Sequence, residues 1–168
     1  MESVSTQSTQ QRATLPVRES ALPAGRLVLP SMLHCLMLTW CDERSDLLRA
    51  AAENESWHPT VNLEIQEFLR NLFRLRLPLT LIDLPALDSG AYPKVQQAAS
   101  HASEIGNSQV IVCGNEGQCQ EELWARSLGV WAYLPGDGGL AGLEYLFSDA
   151  RQALAKSAMT YVELKAYH

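Results

Sequence analysis

The chain has 168 residues, 46% of them hydrophobic and 19% charged, a balance that fits one globular domain with a real core and not a disordered or fibrous chain. Its formal net charge of −6 supplies no basic field for phosphate backbones, which speaks against direct nucleic-acid binding. No apolar run approaches the roughly 20 residues that span a bilayer, and the stretch 27–38 is broken by Pro30, Ser31 and His34 behind a polar leader, so neither a span nor a signal peptide is expected and the cytoplasm is the expected compartment.

Residues 1–26 are rich in Ser, Thr, Gln and Pro without an apolar period, and read as a disordered leader. A folded domain is expected over 27–156, with 157–168 as a C-terminal tail. Within it, 33–40 is a first strand. Residues 42–53 form a helix whose first turn carries acids, as the helix dipole favours. Residues 57–62 are a weak second strand, restricted by Pro59 to an edge or a strand start. Leu69, Leu72, Phe73 and Arg76 recur at helical spacing in 63–77, and Pro78 stops that helix. Residues 79–83 are the third strand. A helix with Pro93 near its first turn spans 92–105, before Gly106. Residues 109–114 are the fourth strand, 118–128 a helix closed by Gly129, 130–134 the fifth strand, and 139–156 the last long helix.

Strands alternating with helices imply parallel strands joined by right-handed crossovers. The expected fold class is therefore α/β: a doubly wound, five-stranded parallel sheet in the order 2-1-3-4-5. Ligands of such sheets bind outside the carboxyl ends of the strands, and the run Leu79-Thr-Leu-Ile-Asp83 places a carboxylate there. An Asp before Leu84-Pro85 also suits a turn former or a helix cap. Gly114-Asn-Glu-Gly117 lacks the spacing and the lysine of a phosphate loop. Cys35, Cys41, Cys113 and Cys119 show no paired metal spacing and read as free thiols in a reducing compartment. His34, His58, His101 and His168 share no spacing.

Ile82-Asp83-Leu84 with Pro85 and Gly90, five alternating units, and Gly129-Val-Trp-Ala-Tyr-Leu134 together resemble the receiver (CheY-like) domain of two-component response regulators, a flavodoxin-like fold. The resemblance covers residues 33–156. It implies that Asp83 is the phosphoacceptor and that Mg²⁺ is the cofactor, held by Asp83 and an acidic pair after the first strand. Asp42 and Glu43 are the candidate pair. A register shifted by two would put Trp40 and Cys41 there and abolish the metal site, and Asp42 would also serve as a helix N-cap.

The resemblance also marks three switch positions, Cys113, Tyr133 and Gly136. Cys113 stands where the family uses a hydroxyl, and a thiol is a weak donor. Tyr133 matches the aromatic whose rotamer follows the switch. Leu134-Pro135-Gly136-Asp137 has no lysine where the family pairs one with the phosphoryl oxygens, and Asp137 would repel them. Charge-assisted bonds are the strong ones in such a switch. The expectation is a degenerate, stand-alone receiver-like signalling module, not an enzyme. It would act by protein–protein interaction, with phosphorylation at Asp83 weak or absent.

Signalling proteins, a histidine kinase among them, and a second copy of the chain are the implied partners. Trp124 and Trp131 are the candidate partner surface, at least one of them expected to be exposed, with core packing as the competing reading. The alternative function is a small doubly wound enzyme with Asp83, Asp42 and Cys113 at its site, which would require a deep pocket and a perturbed thiol.

Overall fold

A computed structural model describes residues 32–166; the expected leader, 1–26, lies outside them. Ten elements alternate along the chain: β1 (Leu33–Leu38), α1 (Asp42–Asn54), β2 (Trp57–Asn62), α2 (Ile65–Leu75), β3 (Leu79–Asp83), α3 (Tyr92–Ile105), β4 (Gln109–Gly114), α4 (Cys119–Ser127), β5 (Ala132–Pro135) and α5 (Gly139–Ala166). The strands form one sheet in the order β2-β1-β3-β4-β5, and every pairing is parallel. The doubly wound fold read from the alternation is the fold observed.

Side-chain alternation on the strands builds two cores. Cys35, Met37, Leu79, Leu81 and Ile111 face Leu48, Ala51 and Ala52 of α1 and Leu143, Phe147 and Ala150 of α5. Leu36, Leu38, Ile82, Val110 and Val112 face Phe68 and Leu72 of α2, Val95, Ala98, Ala99 and Ala102 of α3, and Ala125 of α4. With apolar cover on both faces, the central strands read as continuous hydrophobic runs. Pro59 sits on β2, an edge strand, where its missing N–H costs no central ladder bond. Trp57 on that edge is fully buried, and its indole N–H donates to the Phe147 carbonyl at 3.0 Å, fixing α5 against the sheet.

Several boundaries differ from the sequence reading. β1 stops at Leu38, so Thr39 and Trp40 belong to the turn that follows it. α2 ends at Leu75 because Arg76 turns left-handed (φ 47°) ahead of Pro78. β5 starts at Ala132. α5 continues past Lys156 to Ala166, so residues 157–166, expected as a tail, carry on the helix. No helix among the described residues is long and apolar enough to cross a membrane.

Candidate functional site

Parallel pairing brings the carboxyl ends of β1, β3, β4 and β5 to one edge of the sheet, and Asp83 lies there in register with Cys113. Its carboxylate is almost fully buried, and both oxygens are engaged. Arg44 Nε donates to Oδ1 at 3.0 Å, and the Thr39 hydroxyl donates to Oδ2 at 3.0 Å. The Arg44 and Asp83 side chains are 10% and 6% exposed, so this is a buried ion pair and not a surface one. Arg44 Nη1 also donates to the Asp137 carbonyl at 2.6 Å, across the cleft to the β5–α5 connection. Trp40, Arg44, Asp83, Asn115, Glu116 and Asp137 are among the residues lining a small open cleft of about 350 Å³. A larger groove of about 720 Å³ runs between α2 and α3, with Glu64, Lys94 and His101 among its lining residues.

Burial pushes the Asp83 carboxyl above its ordinary value, against the pull of Arg44, Thr39 and Trp40. Arg44 is held more firmly protonated: burial acts against its charge, but Asp83 beside it outweighs that. A carboxyl whose folded value exceeds its unfolded value binds its proton more tightly in the native state. Its contribution is present at low pH and is lost as pH rises between the two values. Wild type should therefore lose stability relative to Asp83→Asn as pH climbs from about 4 through the raised folded value. Paired urea melts across that range check the sign.

The acidic pair expected at the metal position is elsewhere. Asp42 and Glu43 are exposed in the first turn of α1, and no group of three His, Cys, Asp or Glu residues among those described is placed to hold a metal. The reason is register. Thr39, directly after β1, meets Asp83; Trp40 is 54% exposed; and Cys41 is the residue before α1. Asp42 is thus inside the helix and is not its N-cap, as one reading had it. The residues facing Asp83 are a hydroxyl and a guanidinium, a set that does not fit Mg²⁺: Arg44 already places a cation on the carboxylate, and the second acid is missing.

The switch positions have definite surroundings. Cys113 is buried, and burial pushes its thiol up to about 12, with the Asp83 charge adding to the effect. Cys35 is likewise pushed up to about 12 by burial. Neither is an activated nucleophile. Alkylation of the native protein should modify the exposed Cys119 first and leave Cys35 and Cys113 untouched until the chain unfolds, as peptide mass mapping with and without urea would read out. Gly136 has a left-handed backbone (φ 72°), and its N–H donates to the Gly114 carbonyl at 2.9 Å. A lysine restored there would have to adopt a conformation that side chains disfavour.

Tyr133 is half-buried and turned inward, donating to Glu121 Oε2 at 3.1 Å. Glu121 is 3% exposed and accepts three further hydrogen bonds. These come from the Tyr92 hydroxyl at 2.8 Å, the Asn115 backbone N–H at 2.6 Å and Asn115 Nδ2 at 2.7 Å. Burial, and then the Glu121 contact, push both tyrosines well above their usual range, so their hydroxyls stay protonated as donors. Asn115 Nδ2 also reaches the Pro85 carbonyl at 3.1 Å, tying this network to the turn after Asp83. Gly114 leaves the space: a Cβ there would collide with the Tyr133 hydroxyl and the Glu121 carboxylate.

The expected partner surface is corrected. Trp124 and Trp131 are both half-buried, the first packed on the α2–α3–α4 core and the second on the α1–α5 core. Trp131 precedes β5 and packs on the opposite side of the sheet from Tyr133. Leu143 and Phe147 are fully buried. Among the described side chains of α4 and α5 away from the helix start, Leu123 and Tyr145 are the large exposed apolar ones, at 61% and 73%.

Thr39, Arg44 and Glu121 were not singled out from sequence. Arg44 left one signal: a cation in the first turn of a helix opposes the dipole and needs a local partner. Glu121 left none, since an acid in a first turn is ordinary.

No protein-family model matches the chain, and no curated protein matches it in sequence. Solved structures do match in fold. The signal receiver domain of a protein named as a Luxo repressor from Vibrio parahaemolyticus aligns with a TM-score of 0.64 at 12% identity, over 77% of this chain and 97% of that one. A CheY-like receiver domain protein from Methanospirillum hungatei aligns with a TM-score of 0.55 at 14% identity, over 82% and 100%. A protein named for pilus assembly from Burkholderia thailandensis aligns with a TM-score of 0.59 at 17% identity, over 72% and 99%. With the sheet order and the aspartate ending β3, these matches give the chain the fold of a response-regulator receiver domain.

Proposed function

We propose that the chain is a degenerate receiver-like signalling module that acts in the cytoplasm through protein–protein contacts, with phosphorylation at Asp83 weak or absent. One observation carries the reading: both Asp83 oxygens are taken by the chain's own Arg44 and Thr39. A phosphodonor would have to displace the guanidinium without a divalent cation to neutralise the incoming charge. Cys113 and Gly136, in place of a hydroxyl and a lysine, leave little to read the phosphoryl group afterwards. The enzyme alternative is weakened by the same geometry, because the thiol is raised and buried and Asp42 is exposed and not among the residues lining the cleft.

Signalling proteins and a second copy of the chain remain the candidate partners. Two proteins of this fold are named for pilus assembly, which suggests such an assembly as one setting for the module. Incubation with acetyl phosphate and Mg²⁺, followed by intact mass, tests the reading. No phosphorylated species is expected. A substantial one, abolished by Asp83→Asn, would reject it.

A further inference from the structure

We infer that Arg44 is a resident counter-cation: it occupies the place of a bound metal at Asp83 and permanently ties that carboxylate to the β5–α5 connection. The inference deepens the proposed function and rests on it, since it explains how the site is closed and what the closure holds in place.

Three observations carry it. The guanidinium contacts Asp83 at 3.0 Å and sets a positive charge directly on the carboxylate. Its second donor reaches across the cleft to the Asp137 carbonyl at 2.6 Å, so one side chain joins α1, β3 and the segment after β5. The pair is buried, and water screens it little. A planar guanidinium can serve two acceptors in fixed directions, which a single ammonium does less well. The connection between Asp83 and the β5 end therefore exists without any ligand.

The test adds the missing acid and then removes the guanidinium. Thr39→Asp places a second carboxylate beside Asp83. Thr39→Asp/Arg44→Ala does the same with the resident charge gone. Mn²⁺ is titrated into each ¹⁵N-labelled protein, and broadening of the Leu84 and Cys113 amides is followed. Wild type and Thr39→Asp should show no saturable broadening, and neither should Thr39→Asp/Arg44→Lys. Thr39→Asp/Arg44→Ala should show saturable broadening, with a midpoint at least about tenfold below the highest Mn²⁺ concentration at which Thr39→Asp stays unsaturated. Equal binding by Thr39→Asp and the double variant overturns the inference, as does no binding by a double variant with native amide dispersion.

A second measurement needs no added acid. Amide exchange over residues 136–139 should speed up in Arg44→Gln, and an unchanged rate there also overturns the inference. Phosphorylation of wild type would reject the proposed function without altering these readouts. Mn²⁺ binding by Thr39→Asp would reject the counter-cation alone.

Discussion

Asp83→Ala should cost about 3–5 kcal/mol of folding stability, and pairing an apolar residue at 83 with one at 44 should recover most of it. The single change leaves the Arg44 guanidinium, 10% exposed, without its carboxylate, and leaves the buried Thr39 hydroxyl without its acceptor. The loss measured is then the cost of an uncompensated charge and not the worth of the pair. Burial pushing the Asp83 carboxyl upward despite the nearby guanidinium says the same thing: desolvation is not fully repaid. Asp83→Leu/Arg44→Met removes both charges at similar volume and should be within about 1 kcal/mol of wild type or more stable. Urea denaturation of wild type, Asp83→Leu, Arg44→Met and the double variant gives a double-mutant cycle whose coupling term should exceed about 2 kcal/mol. A double variant as unstable as Asp83→Ala would mean that the site depends on polarity for its packing.

Glu121→Ala should be comparably damaging, at about 3 kcal/mol or more. It removes the acceptor of four hydrogen bonds at once, from the Tyr92 and Tyr133 hydroxyls and two groups of Asn115, of which Nδ2 alone keeps a second acceptor, the Pro85 carbonyl. Each buried donor left unmade costs about 1–3 kcal/mol, reduced here because the tyrosines are half-buried and water can reach their hydroxyls. Tyr133→Phe removes one donor and should cost about 1 kcal/mol. Gly114→Ala should resemble Glu121→Ala more than Tyr133→Phe, since the added methyl displaces the Tyr133 hydroxyl and the Glu121 carboxylate together. Denaturant midpoints rank the three. Exchange of the Asn115 amide, which donates to Glu121, reports whether the β4–α4 turn loosens as the network fails. If Glu121→Ala costs no more than Tyr133→Phe, the network is dispensable and Tyr133 is held inward by packing alone.

The receiver-like fold was legible because it depends on local pattern. Continuous apolar strands, helices at helical spacing, and stops at Pro78, Gly106 and Gly129 are all set by nearest neighbours along the chain. Pro59 restricted β2 to an edge or a strand start, of which the edge is observed, and the location of Asp83 followed from the apolar run that ends on it. The site did not follow in the same way. Whether Asp42 or Thr39 faces Asp83 is a question of where β1 stops, and a shift of a few residues in that turn exchanges an acidic pair for a hydroxyl and an exposed tryptophan.

Arg44 pairs with a residue 39 positions away and Glu121 gathers donors from three segments, so nothing near either one names its partners, although the helix position of Arg44 marks it as needing one. The tryptophans misled for a related reason. Composition counts apolar area, but only packing decides which of it is covered, and Trp124 and Trp131 are each pressed against a core. Sequence alone determined the order and direction of the strands and the carboxylate at their edge. Tertiary structure alone decided what neutralises that carboxylate, because a buried charge takes whichever partner the packed loops bring within reach.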